Sequence, residues 1–322
     1  MENLLLAHKN ASKGKRYYKE VVEFENDKEN LLSSLRDSLI NKTYKTSEYE
    51  IFTKNCGDKV REIYRLPYYP DRICQWAIIQ VIEKYLIRTM TSDTYSAIPG
   101  RGIHKGLVKV KKSVKDLENT KYCLKIDVKK YYPSINHEKL KLCYKRIFKD
   151  NDLLWLIDEI IDSTGGDYGI PIGNYLSQYS GNLYLSKFDH YVKEILHVKH
   201  YFRYMDDIVI FSSSKEELRK IFCKISIELN KLDLEIKSNY QVFPTSVRGV
   251  DFLGYRIFHD YVLVRKRICN NLKKKMNELK KKDNLSEKDI SSIQAYNGWI
   301  KHANSKRLYV KYIEPLIGGN NE

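Results

Sequence analysis

The sequence predicts an α+β fold, on three observations. Apolar residues recur every three or four positions through long stretches, as at Leu31, Leu32, Leu35, Leu39 and Ile40, the mark of helices with one buried face. Residues 49–68 alternate in the manner of strands about the turn signal Asn55-Cys56-Gly57-Asp58, the mark of a hairpin. Two short apolar runs, YCLKIDV and HYFRYMDDIVIF, have the length and β-branched or aromatic content of sheet strands rather than helices.

Taken in order, residues 1–44 read as helix. The hairpin that follows has KVREIYRLP as its second arm, and a helix then runs from Asp71 to Arg88 with Ile73, Ala77, Ile78, Val81 and Ile82 on its inner face. SAIPGRGIHKG, from Ser96 to Gly106, is a glycine-rich basic loop leading into another helix. After the strand YCLKIDV come a helical stretch from Glu138 to Ser163, the loop GGDYGIPIGN, and a helix from Tyr175 to Leu196. HYFRYMDDIVIF reads as a hairpin with an acidic pair at its turn. A helix from Lys215 to Leu232, a strand pair through FLGYRIF, and a basic helical tail complete the chain. In that tail Ile268, Leu272, Met276 and Leu279 share one face. No repeat of fixed period and no Pro/Ser-rich linker interrupts the order.

A chain of 322 residues with 42% hydrophobic content can bury a large core, as about two domains or one multi-lobed unit. Its 57 Lys and Arg outnumber 41 acids, for a formal charge of +16. A surplus of that size points to a polyanion, because neutralising phosphates releases condensed counterions. The 26 tyrosines suit stacking and sugar contacts. Six scattered cysteines without a CxxC pair support neither a disulfide framework nor a zinc site. The N-terminal apolar run is too short for a signal peptide, and no segment is long enough to span a membrane. A soluble, reducing, cytoplasmic setting without a membrane partner is expected.

The acidic pair Asp206-Asp207 carries the chemistry. Alone, two adjacent acids are ordinary turn residues. Here Tyr204 and Met205 precede them, Ile208 to Phe211 follow, and a third acid, Asp127, sits in the strand-like LKIDVKKYYPSI. Carboxylates brought together repel unless cations lie between them. A pair of Mg²⁺ ions answers that need, since Mg²⁺ takes oxygen ligands and keeps waters and substrate phosphates. Two such ions can activate a 3′-hydroxyl and stabilise leaving pyrophosphate.

At these residues the chain resembles palm-type reverse transcriptases. The resemblance implies a right-hand architecture: fingers with N-terminal helices over 1–118, a palm of antiparallel sheet plus helices over 119–258, and a short helical thumb over 259–322. A helical fingers insertion is expected at about 138–168. DVKKYY matches the first catalytic strand, so Asp127 would ligate metal and Tyr132 would lie under the incoming sugar and exclude a ribose hydroxyl. YMDD matches the metal hairpin, with Asp206 and Asp207 as ligands of two Mg²⁺ ions (or Mn²⁺ in their place) and Tyr204 and Met205 against the primer end. KVREIYRLPYYPDRICQWAII resembles the fingers of bacterial retroelement enzymes. Lys59 and Arg61 would grip the triphosphate, and Arg72 would touch nucleic acid or form an internal ion pair. Arg101, in SAIPGRGIHKG, would contact template phosphate. VDFLGY resembles the primer grip, which puts Leu253, Gly254 and Tyr255 at the primer, or is an ordinary hairpin. Lys237 would protonate pyrophosphate, or is a solvated lysine.

One departure narrows the resemblance. Where many bacterial reverse transcriptases carry QGxxxSP, this chain has IGNYLSQ, from Ile172 to Gln178. That pattern looks like the reverse transcriptases of diversity-generating retroelements, whose copying is error-prone opposite template adenines. Ile172, Gly173 and Gln178 would then lie at the nascent pair, and replacing an amide by Ile172 removes a polar contact on which selectivity could rest. Similar loops occur in reverse transcriptases of phage defence. The basic tail resembles a thumb, with Lys273 and Lys274 along the minor groove of an RNA–cDNA hybrid read by shape. The expected partners are template RNA, a DNA or RNA primer, the hybrid, and dNTPs. Enzymes of the diversity-generating kind also work with a small basic accessory protein. No room is expected for an RNase H, endonuclease or zinc-finger module. A catalytically silent RNA-binding scaffold is the non-enzymatic alternative.

Overall fold

The computed structural model describes residues 1–56 and 59–317, and leaves the side chains of Cys56 and Lys59 undescribed. In chain order its elements begin with α1 (Glu2–Ala11), α2 (Lys19–Asn26), α3 (Lys28–Ile40), β1 (Glu50–Cys56), β2 (Lys59–Arg65) and α4 (Ile73–Arg88). Next come α5 (Ile103–Ser113), β3 (Tyr122–Asp127), α6 (His137–Ile147), α7 (Asn151–Asp162), α8 (Tyr175–Tyr184) and α9 (Ser186–His190). The hairpin β4 (His200–Tyr204) and β5 (Asp207–Ser212), α10 (Lys215–Asn230), β6 (Gln241–Pro244) and α11 (Thr245–Arg248) follow. After these come β7 (Val250–Phe252), β8 (Tyr255–Ile257), β9 (Val262–Val264), α12 (Lys266–Leu279) and α13 (Glu287–Lys301), followed by short helical turns over 306–317. Two compact units are formed. One takes residues 1–97, 128–197 and 224–237, and the other takes 98–127, 198–223 and 238–322.

In the first unit, the helix expected over 1–44 is three helices. Successive turns separate α1 from α2, with Gly14 at φ +71°. Leu4, Ala7 and Ala11 are buried on α1, and Asn3 Nδ2 donates to the Ala77 carbonyl of α4 over 3.1 Å. Strands β1 and β2 pair antiparallel from Glu50↔Arg65 to Cys56↔Lys59, as the alternation predicts. On α4, burial covers almost every side from Ile73 to Ile79, then narrows to the side of Ile82 and Leu86. Val81 lies about 100° around the helix from Ile82, and is 51% exposed rather than inward. The helix expected over 138–163 is two. Asp150 stops the continuation by accepting from the Asp152 and Leu153 amides (3.0 and 2.9 Å), which caps α7.

The second unit is built on an antiparallel sheet ordered β4-β5-β3-β6. Leu124, Ile126, Ile208, Val209 and Ile210 are wholly buried, so both sheet faces are covered. That explains why these strands read as continuous apolar runs instead of alternating ones. A second sheet, β7-β8-β9, has one strand more than the expected pair. Three residues of β9 are too few to display an alternation. Leu272, Met276 and Leu279 of α12 are buried against Ile293, Ile300 and Ile313, while Ile268 is only half-buried. Each such side chain stabilises by about 1.5–3 kcal/mol on burial. Ser286 and Asp289 form a reciprocal capping box at the start of α13. Among the described residues, no helix is long and apolar enough to cross a membrane.

Candidate active site

Strand register brings the acids together. Asp127 of β3 is the direct partner of Asp207 on β5, and Tyr204 of β4 is its partner on the other side. Directly opposed residues of antiparallel strands project on one face with Cβ atoms about 5 Å apart. Met205 and Asp206 alone form the turn, so Asp207 is the first residue of β5 rather than part of the turn as expected. Met205 has φ +54°, a conformation that costs about 1–2 kcal/mol for an L residue. Arg203, fully buried in β4, donates from Nη1 to the Met205 carbonyl over 3.1 Å and holds the turn. Sequence reasoning did not single out Arg203; its signal was one charged residue inside the apolar arm HYFRY.

Asp207 is electrostatically perturbed. Its Oδ1 is buried without a hydrogen-bond partner, while Oδ2 lies 3.7 Å from Lys125 Nζ. Burial raises its pKa to about 6, against the Lys125 charge; Asp206 and Asp127 push it further up, and Arg265 opposes them. Lys125 also donates to the backbone carbonyl of Asp251. The Asp251 carboxylate is in turn gripped by Arg265, through Nε at 2.6 Å and Nη2 at 2.5 Å. This chain of contacts from Asp207 to the first turn of α12 was invisible in the sequence, because Lys125 and Asp251 are 126 residues apart. An orphaned buried oxygen within a group of like-charged carboxylates suits a hard divalent cation. Among the described residues no three His, Cys, Asp or Glu side chains are already gathered as a cage. Mg²⁺ needs no full protein cage, since it keeps waters and takes substrate phosphates.

In the first unit, the IGNYLSQ loop docks on β2. The Ile172 carbonyl accepts from the Tyr64 amide at 2.9 Å. Gly173, at φ +129°, sits so close to β2 that an added Cβ would be 2.6 Å from the Tyr64 carbonyl oxygen. Arg61 is exposed on β2, two residues before Ile63 and so on the same strand face. Lys59 has no described side chain, so the expectation for it lies outside the described residues. Asn174 precedes α8, yet the free amides of that helix, at Tyr175 and Leu176, are satisfied by Gln75 Oε1 from α4 (2.9 and 3.2 Å). Gln178 is exposed on α8, and Gly181 lies one turn on, where the Tyr132 hydroxyl is 3.6 Å from its missing Cβ. Tyr131 donates its hydroxyl to the Gly181 carbonyl, and both tyrosine rings stand at ordinary contact distance from the Gly181 Cβ position. Lys237 is half-buried just after the bridge between Val128 and Ile236. Arg72 is exposed and makes no ion pair among the described residues, against the internal pairing considered for it.

In the second unit, Leu253 (φ +55°) and Gly254 (φ +83°) form a two-residue hairpin turn between β7 and β8. Leu253 is 6% exposed and Tyr255 fully buried. The Tyr255 hydroxyl donates to the Trp299 carbonyl at 3.2 Å, and its ring lies 5.2 Å from that indole. Tyr255 therefore packs against α13. Lys273 is half-buried and Lys274 exposed on α12. Arg101 lines a cavity of about 540 Å³ with His104, Lys105, Tyr204 and Trp299. Tyr204 thus links that basic, aromatic cleft to the carboxylate face.

A palm sheet with Asp206 and Asp207 at its hairpin and Asp127 on the neighbouring strand, followed by a basic helical segment, defines a right-hand polymerase. Residues 53–257 match the reverse transcriptase (RNA-dependent DNA polymerase) family, and the chain belongs to that family. The retron Ec73 reverse transcriptase of Escherichia coli is 23% identical over 273 residues, covering 79% of this chain and 82% of that protein. Protein YkfC of Escherichia coli (strain K12) is 24% identical over 174 residues, 51% of this chain and 45% of that protein. Among solved structures, telomerase from Candida albicans in complex with the TWJ fragment of telomeric RNA gives a TM-score of 0.54 at 11% identity, covering 87% of this chain and 61% of that one. Apo telomerase from Candida tropicalis, truncated from its C-terminal domain, gives 0.51 at 15% identity over 69% of this chain and 55% of that one. The chain spans about half the length of YkfC and of this telomerase. At these identities the structural likeness speaks for the fold alone.

Proposed function

We propose that the chain is an RNA-directed DNA polymerase that copies a structured template RNA into cDNA by two-metal-ion nucleotidyl transfer. The observation that carries it is the strand register, with Asp127 opposite Asp207 and Asp206 in the adjoining turn. These three carboxylates would hold Mg²⁺. When bound, the ions supply a lowered pKa for the primer 3′-hydroxyl and charge neutralisation at the phosphates. The chain's own residues do the positioning. Arg203 fixes the turn that carries Asp206, and the buried β3–β5 pair fixes the spacing of Asp127 and Asp207. Arg61 and Lys59 receive the triphosphate, Lys237 gives a proton to departing pyrophosphate, and Tyr132 excludes a ribose 2′-hydroxyl by bulk. Arg101, Tyr204, Met205, Lys273 and Lys274 hold template and primer. Copying is error-prone at template adenines, because Ile172 offers no amide at the nascent pair. A structured RNA and a small basic accessory protein are the partners of that reading.

A second reading, a reverse transcriptase of phage defence, is compatible with the retron relative. Primer extension on RNA with Mg²⁺, followed by product sequencing, tests both activity and fidelity. The first reading expects product from the wild type with cognate RNA and any accessory protein supplied, none from Asp206→Ala, and errors concentrated opposite adenine. Equal product from both proteins overturns the polymerase assignment. Errors spread evenly over the four template bases overturn the diversity-generating reading and leave the defence one.

A further inference from the structure

Residues 9–18, KNASKGKRYY, take no part in the site above, yet they are unusually built. The segment leaves α1 through successive turns: Ser12 N–H to the His8 carbonyl (2.9 Å), Lys15 N–H to Ser12 (2.8 Å) and Tyr18 N–H to Lys15 (2.9 Å). Ala11 and Ser12 are buried, so it is anchored from beneath. A cavity of about 430 Å³ opens on it, lined by Lys9, Asn10, Lys13, Gly14 and Arg16.

The charge there is uncompensated. Among the described residues, Lys9, Lys13, Lys15, Arg16 and Arg72 make no ion pair, whereas nearby cations of the same unit do. Lys19 pairs with Glu23 at 3.5 Å and Lys28 with Glu25 at 3.1 Å. An ordinary solvated face would mix in acids throughout. Burial, then the Arg72 charge, pull Lys15 below the usual lysine range, so Arg72 stands near enough for Lys15 to feel its charge. Such repulsion is relieved by an external polyanion. Beside the cations stand two exposed rings, Tyr17 at 77% and Tyr18 at 50% exposure, edge to face with centroids 4.8 Å apart. Exposed rings next to unpaired cations offer stacking to unpaired bases and contacts to the phosphates between them. A duplex hides its base faces and could use only the cations.

We propose that residues 9–18 are a docking site for single-stranded nucleic acid, with phosphates on Lys9, Lys13, Lys15 and Arg16 and unpaired bases on Tyr17 and Tyr18. The site goes beyond the polymerase reading and does not depend on it. The test uses the full chain in EDTA without nucleotides, so a protein inactive in polymerisation still reports. Fluorescence anisotropy would follow a labelled 20-nucleotide RNA, the DNA of the same sequence, and the fully paired duplex, across a salt series. Lys13→Ala/Arg16→Ala should weaken single-strand binding and lower the salt slope by about 1.4, at about 0.7 per lost phosphate contact. Tyr17→Ala/Tyr18→Ala should weaken it at least about fivefold while leaving duplex binding unchanged. Loss with RNA, with DNA or with both supports the site and reads out which polymer it takes. A variant-free arm photocrosslinks 4-thiouridine RNA to wild-type protein, with adducts expected on the peptide that carries Tyr17 and Tyr18. Unchanged single-strand affinity and slope, equal losses for single strand and duplex in the tyrosine variant, or no adducts in residues 9–18 would each overturn it.

Discussion

Replacing Gly173 by alanine tests how the IGNYLSQ loop is held. Gly173 sits at φ +129°, a region that costs an L residue about 1–3 kcal/mol. The new Cβ would lie 2.6 Å from the Tyr64 carbonyl oxygen, closer than real Cβ atoms come, so one backbone must give way. Any retreat pulls on the 2.9 Å bond from the Tyr64 amide to the Ile172 carbonyl, a loss of about 1 kcal/mol. Together these amount to about 2–4 kcal/mol of destabilisation. At about 2–4 °C per kcal/mol for a domain of this size, melting should fall by roughly 5–15 °C. Scanning calorimetry reads the shift, and hydrogen exchange at the Tyr64 amide locates it. Gly165→Ala is the control: Gly165 has φ +74° with nothing within 4 Å of its missing Cβ. It bears a dihedral cost alone, so the excess in Gly173→Ala reports the collision with β2 together with its less favourable φ. If the two variants melt alike, or Tyr64 exchange is unchanged in Gly173→Ala, the docking argument is wrong.

Three further outcomes follow from the second unit. Lys125→Met removes the cation 3.7 Å from Asp207, worth about 1 kcal/mol for a partly exposed pair. Manganese titration followed by electron paramagnetic resonance should show about threefold to tenfold tighter binding, and unchanged or weaker binding refutes the competition. Gly254→Ala (φ +83°) drives a Cβ into the Trp299 ring, with Cη2 at 2.7 Å and Ile268 Cδ1 at 3.1 Å. It should cost about 2–4 kcal/mol and shift Trp299 fluorescence; a native emission and melting point would refute it. Hydrogen bonds from Lys282, then Ser286, hold the Asp289 carboxyl far below its ordinary range. A depressed carboxylate stabilises above its unfolded pKa and loses that contribution as pH falls. Asp289→Asn should therefore lower stability at pH 7 and flatten the acid limb below about pH 4; an acid limb like the wild type's counts against the capping box.

How far the site could be read from residues alone depended on where each interaction is encoded. Asp127, Asp206 and Asp207 were legible because apolar strand residues flank them. Those residues enforce a pairing in which Leu124 meets Ile210 and Ile126 meets Ile208, and a slip of one residue would exchange the sheet's two faces. The partition of 1–44 and 138–163 into shorter helices was not legible from apolar spacing, which continues across the breaks. Caps and turns decide there, Asp150 among them. Val81 failed for another reason: the periodicity shows that α4 has a buried face, not where its neighbours stop covering it.

The supports of the site share one property that hides them from sequence reasoning. Gln75 caps α8 from 100 residues away, and Lys125 meets Asp251 across 126. No local pattern records such pairs, because each residue taken singly is an ordinary polar side chain. Their effect is nevertheless local to the chemistry. Strand register sets where the carboxylates stand, while Lys125, itself tied to Asp251, helps set how much negative charge Asp207 carries. Arg265 grips Asp251 at the start of α12, so a shift of that helix would be felt by Lys125 and through it by Asp207. Geometry and charge at the same oxygen atoms are thus specified by different parts of the chain, and only the first leaves a motif.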